Sequence, residues 1–246
     1  CAHGGPPLSG LMRAQPEDFV VDEDLGFDPD GSGEHVFLRV EKRGANTDFV
    51  ARELARFVPL SERARRGYIG MAIVHGAALL ALALPGLEHP IAGAFWWLSM
   101  ALFSGWLLRY DLACRPKVQR LGWALHTARS LRLGYTWLML AGLWGVVNAL
   151  RGMPLDSPGP LHMLLLGFVF SMVFGHAPIM LPALLRTPIS PPGPFAFVPV
   201  GLMTLGVTLR ALGDAIGSGG VRAGAGALQA AAILTFAFTM IRHLRR

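Results

Sequence analysis

Residues 160–185 read PLHMLLLGFVFSMVFGHAPIMLPALL, an apolar run of 26 residues without Asp, Glu, Lys or Arg. An α-helix rises about 1.5 Å per residue, so a helix of this length crosses the roughly 30 Å hydrocarbon core of a bilayer. Uncharged runs this long are typical of transmembrane helices. The run also contains His162 and His176, and ionisable side chains at membrane depth are expensive and often functional. It therefore predicts a membrane span that carries candidate functional residues.

The composition of the whole chain points the same way. Of its 246 residues 52% are hydrophobic and 15% are charged, and the mean hydropathy is +0.45. Soluble domains are rarely this apolar. Residues 1–60 contain eleven of the 16 acidic residues, whereas residues 61–246 contain sixteen of the 22 Lys and Arg residues. This division predicts two domains, 1–60 and 61–246.

The second domain contains six apolar segments, each near the length that a bilayer requires. We therefore expect a mainly α fold, a six-helix transmembrane bundle preceded by a small α/β segment. The segments run over about residues 68–84, 91–108, 134–150, 161–185, 195–212 and 224–241. Between the second and third segments we expect a long basic loop, residues 109–132. Within it, residues 119–132 form either a short interfacial helix or a plain connector.

The arginines indicate the orientation of the bundle. Most lie before the first segment, in the second loop and at the carboxyl end, whereas Arg151, Arg210 and Arg222 fall on the other side. Lys and Arg are enriched in cytoplasmic loops, so both termini are predicted to be cytoplasmic.

Three histidines lie in predicted spans. His75 falls near the middle of the first span and His176 near the middle of the fourth, while His162 lies towards the outer surface. Imidazole ligates haem iron and copper, and Met180 adds a thioether that suits copper. The alternative is that each histidine donates to a carbonyl or hydroxyl group and binds nothing. His126 is expected in a loop, with a solvated or headgroup role.

The fourth span has two distinct faces. Gly167, Ser171 and Gly175 recur at a spacing of four, which predicts a ridge of small residues against a neighbouring helix. At about 100° per residue, His162 and His176 fall within roughly 40° of each other on the other face.

The first domain carries a family resemblance. Its segments PEDFVVDE (16–23), PDGSGEH (29–35) and KRGANT (42–47) resemble the amino-terminal end of the tRNA pseudouridine synthase D (TruD) family. The resemblance covers residues 1–57. It implies that Phe19 belongs to an active-site wall and stacks near a flipped uridine. The alternative is that Phe19 is an inward-packed strand residue.

The catalytic part of that family is missing from the sequence. The resemblance implies a nucleophilic aspartate in a G-x-K-D-type segment, but Lys42 and Lys117 are the two lysines here and neither precedes Asp. We therefore interpret residues 1–60 as a truncated segment, joined to the second domain by a fusion or by gene misassembly. Pseudouridine synthesis, catalytic residues and a nucleic-acid partner are not expected.

The pattern LH-x4-GFVFSMVFGHAPIMLPALL over residues 161–185 is similar to bacterial multi-span proteins related to the NnrS family. Members of that family are haem- and copper-containing membrane proteins linked to nitric-oxide stress. The resemblance implies haem or copper bound by His162 and His176, a redox role and a place in the bacterial inner membrane. The alternative is a non-catalytic membrane scaffold or permease with structural histidines. The lipid bilayer is the expected partner, and the oligomeric state is left open.

Overall fold

The computed structural model describes residues 61–84, 89–114, 122–185 and 187–244. These residues form six long helices, together with short 3-10 turns and loops, and they contain no strand. We number the helices α1 (Glu62–Ala83), α2 (His89–Tyr110), α3 (Gly122–Leu150), α4 (residues 158–185), α5 (Val198–Ala215) and α6 (Gly219–Leu244). The predicted mainly α, six-helix class is confirmed. The predicted α/β segment and Phe19 lie outside the described residues.

All six helices are long and apolar enough to cross a membrane. Their spans contain 21 to 29 residues, which matches the roughly 20 residues that a bilayer core requires. Large apolar side chains cover the outside of the bundle, as a surface in contact with lipid requires. The described residues are therefore compatible with a membrane protein of six spans.

Successive helices run in opposite directions. At one end, Trp106 near the end of α2 donates a hydrogen bond of 3.0 Å to the carbonyl oxygen of Ala64 at the start of α1. Helices α1, α3 and α5 begin at this end. We call it the basic end, because most described arginines lie there. The other end, where α2, α4 and α6 begin, contains Arg151, Arg210 and Arg222. We call it the cleft end.

Helix α3 occupies the centre of the bundle. It packs against α2 on one side and α4 on the other, while α5 pairs with α6 and α1 packs on α2. In the most apolar part of α3, 44% of the residues are buried, against 6% for α1. The centre of the fold is therefore α3, and α1 is the most peripheral of the six described helices.

Glycine brings α3 close to α2. A Cβ atom on Gly145 would lie 2.2 Å from Cδ2 of Trp97, and one on Gly142 would lie 2.8 Å from the Cβ of Ala101. Such distances exclude any side chain, so the two helices approach along a glycine surface that the Trp97 ring covers. Trp97 is the largest of the fully buried side chains in the described residues.

The start of α3 differs from the sequence prediction. The prediction of a basic loop over residues 109–132 is wrong for residues 122–132, which form the first turns of this helix. The hydropathy of this stretch is low because it contains two exposed arginines and because two of its buried side chains, His126 and Ser130, are polar. Arg129 is exposed, and its Cζ atom lies 5.4 Å from the ring centroid of Phe197. The stretch is thus neither a separate interfacial helix nor a connector, but the first turns of a long apolar helix.

Helix α4 contains a π-helical stretch. It consists of Pro158–His162, the π-helical Met163–Val169 and Phe170–Leu185, without interruption. A π-helix closes its hydrogen bonds over five residues instead of four, so each residue turns less than in an α-helix. The predicted alignment of His162 with His176 assumed a constant α-helical turn, and that assumption does not hold across Met163–Val169.

Candidate functional site

His75 of α1 is bonded to α2. Its Nδ1 lies 2.8 Å from Oγ of Ser99, and this hydroxyl donates its own proton to the carbonyl oxygen of Trp96 at 2.6 Å. Since the hydroxyl proton is used, Ser99 accepts from the Nδ1–H of His75. The neutral ring therefore carries its free lone pair on Nε2.

His162 and His176 each bond to their own helix. The Nδ1 of His176 donates to the carbonyl oxygen of Met172 at 2.8 Å, and the Nδ1 of His162 donates to that of Pro158. A carbonyl oxygen only accepts, so both rings carry hydrogen on Nδ1 and a lone pair on Nε2 when neutral. All three candidate histidines thus present Nε2 as the available ligand atom.

The candidate ligands His176 and Met180 lie on an exposed face of α4. His176 is exposed, and Met180, one turn later, has 63% of its surface accessible. Val169 and Val173 are exposed on the same helix, whereas His162 is half-buried. The imidazole of His176 and the thioether of Met180 therefore face out of the bundle.

The small residues of α4 lie against α3. A Cβ atom on Gly167 would be 2.6 Å from the Trp137 side chain, and one on Gly175 would be 2.4 Å from the Leu131 side chain. Ser171, between them, is buried. The two helices therefore meet along Gly167, Ser171 and Gly175.

The candidate ligands are distributed over separate parts of the bundle. His75 lies on α1, which packs on α2, whereas His162, His176 and Met180 lie on α4, which packs on α3. Within the described ranges, no group of three or more His, Cys, Asp and Glu side chains is placed to hold a metal ion. Binding of haem or copper by these residues stays a prediction.

His126 has a role that the sequence did not indicate. The expectation of a solvated loop histidine is wrong, because the ring is 1% exposed inside the start of α3. Its Nε2 donates to the carbonyl oxygen of Ala196 at 3.1 Å. Its Nδ1 is buried and has no hydrogen-bond partner in the part of the chain that the structure describes. The ring packs against Trp123 and Phe197, with centroids 5.3 and 5.1 Å away.

Trp123 extends this cluster to the end of α6. Its ring lies edge-on to His243, with centroids 5.2 Å apart, and its Nε1 donates to the carbonyl oxygen of Ser190 at 2.9 Å. The backbone nitrogen of Ser190 in turn donates to the carbonyl oxygen of His243 at 3.2 Å. The two histidines and the tryptophan therefore join α3, the segment before α5 and the end of α6 at the basic end.

A periodic pattern in the sequence marks this part of α3. Polar and small residues continue the buried face of the helix through the basic stretch, at spacings of three and four. They are His126, Ser130 and Gly134, and they lie between the large apolar Trp123 and Leu138 on the same buried face. This spacing is that of one helix face, and it could have indicated a helix that begins well before residue 134.

The bundle has the features of a membrane-spanning helical domain, with six apolar helices around a buried central one. Residues 52–245 match a family described as a domain of unknown function (DUF8744), and this match covers more than half of the chain. The chain belongs to this family. No solved structure matches it.

A second match covers the beginning of the chain. Residues 2–72 match the tRNA pseudouridine synthase D (TruD) family, which supports the resemblance read from the sequence and extends it beyond Phe57. The match reaches the first turns of α1 and overlaps the other family over residues 52–72. The resemblance to NnrS-related proteins and the boundary near residue 60 stay predictions.

Proposed function

We propose that this chain is an integral membrane protein that binds haem or copper, with His176 as the principal ligand. The supporting observation is the hydrogen bond from Nδ1 of His176 to the carbonyl of Met172, which leaves Nε2 free on an exposed face. Histidines that ligate metals characteristically donate their other N–H in this way.

Met180 supplies the second donor of the proposed site. It lies one turn after His176 on the same exposed part of α4. Thioether and imidazole together suit Cu(I), and an imidazole could also hold a haem iron. A bound haem or copper would supply one-electron chemistry, in a redox or nitric-oxide-linked role. His75 and His162 are further candidate ligands, since their Nδ1 atoms are held by Ser99 and Pro158.

The proposed location is the bacterial inner membrane, with both termini in the cytoplasm. The basic end contains Arg63, Arg65, Arg66, Arg109, Arg129, Arg132 and Arg242, whereas the cleft end contains Arg151, Arg210 and Arg222. This asymmetry supports the orientation, because cytoplasmic loops and helix ends are enriched in Arg and Lys. Labelling of single cysteines placed at the two ends, in whole cells and in lysed cells, tests it.

Spectroscopy of the purified full chain tests the cofactor. Protein produced with added haem precursor or with added copper is extracted in detergent, and its Soret absorbance and copper content are measured. The proposal expects one of the two cofactors at close to one per chain. His176→Ala and Met180→Ala should each lower it. His243→Ala is the matched control, because His243 makes the same bond to the carbonyl four residues earlier but lies on α6. Protein that retains neither cofactor overturns the proposal.

A non-catalytic scaffold or permease with structural histidines is the second candidate. It is supported by two histidine bonds that join separate elements, His75 to Ser99 and His126 to Ala196. Each bond gives its ring a structural role that needs no ligand. Loss of stability in His75→Ala, in a protein that carries no cofactor, would favour this function over the first.

A further inference from the structure

The cleft end contains a cleft of about 470 Å³ between the ends of α3 and α5 and the starts of α4 and α6. Small-molecule sites typically have volumes of roughly 300–1,000 Å³ and combine apolar walls with a few polar groups. The lining here has that character. It includes the charged Arg151, Asp214 and Arg222, the polar Asn148 and Ser157, and the apolar Trp144.

The charge in and around the cleft is positive. The Asp214 side chain is only 9% exposed, with Nε of Arg210 at 3.4 Å from Oδ2 and Nη1 of Arg222 at 3.8 Å from Oδ1. Arg151 lines the cleft as well, so the lining carries two guanidinium groups and one carboxylate, and that carboxylate is also paired with Arg210. Asp156, in the loop next to Arg151, is exposed and does not line the cleft. The site therefore favours an anionic ligand.

Hydrogen-bonding capacity in the cleft remains unused. The 3.8 Å separation between Arg222 and Asp214 is too long for a hydrogen bond, so donors of Arg222 remain available. Oδ1 of Asp214 is buried and accepts no hydrogen bond within the described residues. A buried carboxylate oxygen is costly to leave without a donor. The cleft thus offers donors for an anion and one acceptor for an N–H or O–H group.

Two glycines shape the cleft walls. A Cβ atom on Gly213 would lie 2.9 Å from Cγ of Arg222, so glycine is needed for the arginine stem to lie against α5 beside Asp214. A Cβ atom on Gly159 would lie 2.6 Å from the Trp144 ring. The charged side and the aromatic side therefore both depend on close contacts between helices.

We propose that this cleft binds a phosphate group that carries a nearby hydrogen-bond donor, with phosphoethanolamine as the simplest case. Arg151 and Arg222 hold the phosphate, because guanidinium groups match phosphate oxygens in geometry and charge. Oδ1 of Asp214 accepts from the ammonium group. Trp144 contacts the carbon chain between them. The site is independent of His176 and of any cofactor.

The ligand chemistry has two sources, a phosphatidylethanolamine headgroup or a soluble phosphoethanolamine compound. An adjoining apolar cavity of about 360 Å³ shares Met153 with the cleft and is also lined by Leu155 and Pro90. It offers space for apolar chains next to the polar site. Binding must therefore be measured with both forms.

Native mass spectrometry and calorimetry of the detergent-purified full chain distinguish the sources. Phosphatidylethanolamine is compared with phosphatidylcholine, whose quaternary ammonium has no N–H to give to Asp214, and soluble phosphoethanolamine is titrated separately. Preferential retention of phosphatidylethanolamine assigns the lipid. Binding of phosphoethanolamine without lipid preference assigns the soluble form. Retention of both lipids alike, with no binding of phosphoethanolamine, overturns the proposal.

Variants connect the binding to the cleft. Arg151→Gln and Arg222→Gln should each weaken it by about tenfold, the usual effect of losing a hydrogen bond to a charged group. Arg242→Gln removes the same charge from the basic end and should leave binding unchanged. Asp214→Leu removes the acceptor at similar side-chain size and should abolish the preference over phosphatidylcholine. If that variant fails to fold, Arg151→Gln decides, because Arg151 is exposed. Unchanged binding in Arg151→Gln overturns the proposal.

Discussion

Nε2 of His126 donates a hydrogen bond to the carbonyl oxygen of Ala196 at 3.1 Å, across 70 positions of sequence. The bond joins the start of α3 to the 3-10 turn Pro194–Phe197, which leads into α5. The ring is also held between Trp123 and Phe197. This histidine therefore combines one interhelical hydrogen bond with aromatic packing in the interior of the basic end.

Replacement of His126 should separate these two contributions. His126→Phe keeps a planar ring in the same space and loses the hydrogen bond, so the free energy of unfolding should fall by about 1 kcal/mol. His126→Ala also removes the packing and leaves a cavity, and should cost roughly 2–4 kcal/mol. Denaturation of the two variants in the same detergent measures the difference. Equal losses for Phe and Ala would show that ring packing contributes nothing.

The sequence predicted the number of spans but not the start of α3. Apolar runs such as residues 160–185 can be recognised as spans from the sequence alone, because crossing a bilayer requires only local length and hydropathy. His126 and Ser130 are polar, and their burial depends on other parts of the bundle, as the bond from His126 to Ala196 illustrates. A hydropathy pattern contains no information about a hydrogen-bond partner so far away in the sequence.

The contact between α3 and α4 should be sensitive to single methyl groups. Gly175→Ala would place Cβ 2.4 Å from the Leu131 side chain, so we expect a loss of about 1–3 kcal/mol from overpacking. Gly201→Ala, on an exposed part of α5 with no atom within 4 Å, is the control. It should stabilise the protein by up to about 1 kcal/mol, since alanine favours helix. The two thermal unfolding midpoints should therefore move in opposite directions; a shift in the same direction contradicts the packing.

The cleft was beyond sequence reasoning for a related reason. The sequence located Arg151, Arg210 and Arg222 on one side of the bundle, which the helix ends bear out. That Arg151 lines one cleft with Asp214 and Arg222 depends on two helix pairs that meet there, α3 with α4 and α5 with α6. Only the pair Arg210 and Asp214, four residues apart on α5, follows from local spacing.

The indole group of Trp106 should contribute to the attachment of α1, together with the bond between His75 and Ser99. Nε1 of Trp106 donates to the carbonyl oxygen of Ala64, and α1 has little other buried surface. Trp106→Phe should therefore destabilise the protein by about 1 kcal/mol and increase proteolysis within α1. In Trp96, Nε1 is buried and has no hydrogen-bond partner in the described segments. Trp96→Phe loses no such bond and should leave proteolysis of α1 unchanged; similar proteolysis in both variants would contradict the role of Trp106.

The reactivity of Cys114, which follows α2, should be controlled by its neighbours. Burial raises the pKa of its thiol, the carboxylate of Asp111 raises it further, and Arg132 opposes them. Little thiolate is then present at neutral pH, and maleimide labelling should accelerate as pH rises.

Replacement of Asp111 tests whether its carboxylate raises the pKa of the Cys114 thiol. Asp111→Asn removes the negative charge that raises the pKa, and asparagine can still accept the bond from the Ala113 nitrogen, so labelling at pH 7 should become faster. Arg132→Gln should slow it. Both rates are measured in a Cys1→Ser background, so that Cys114 alone reacts, because the chain has two cysteines. Slower labelling of Asp111→Asn would mean that this carboxylate does not raise the pKa of Cys114.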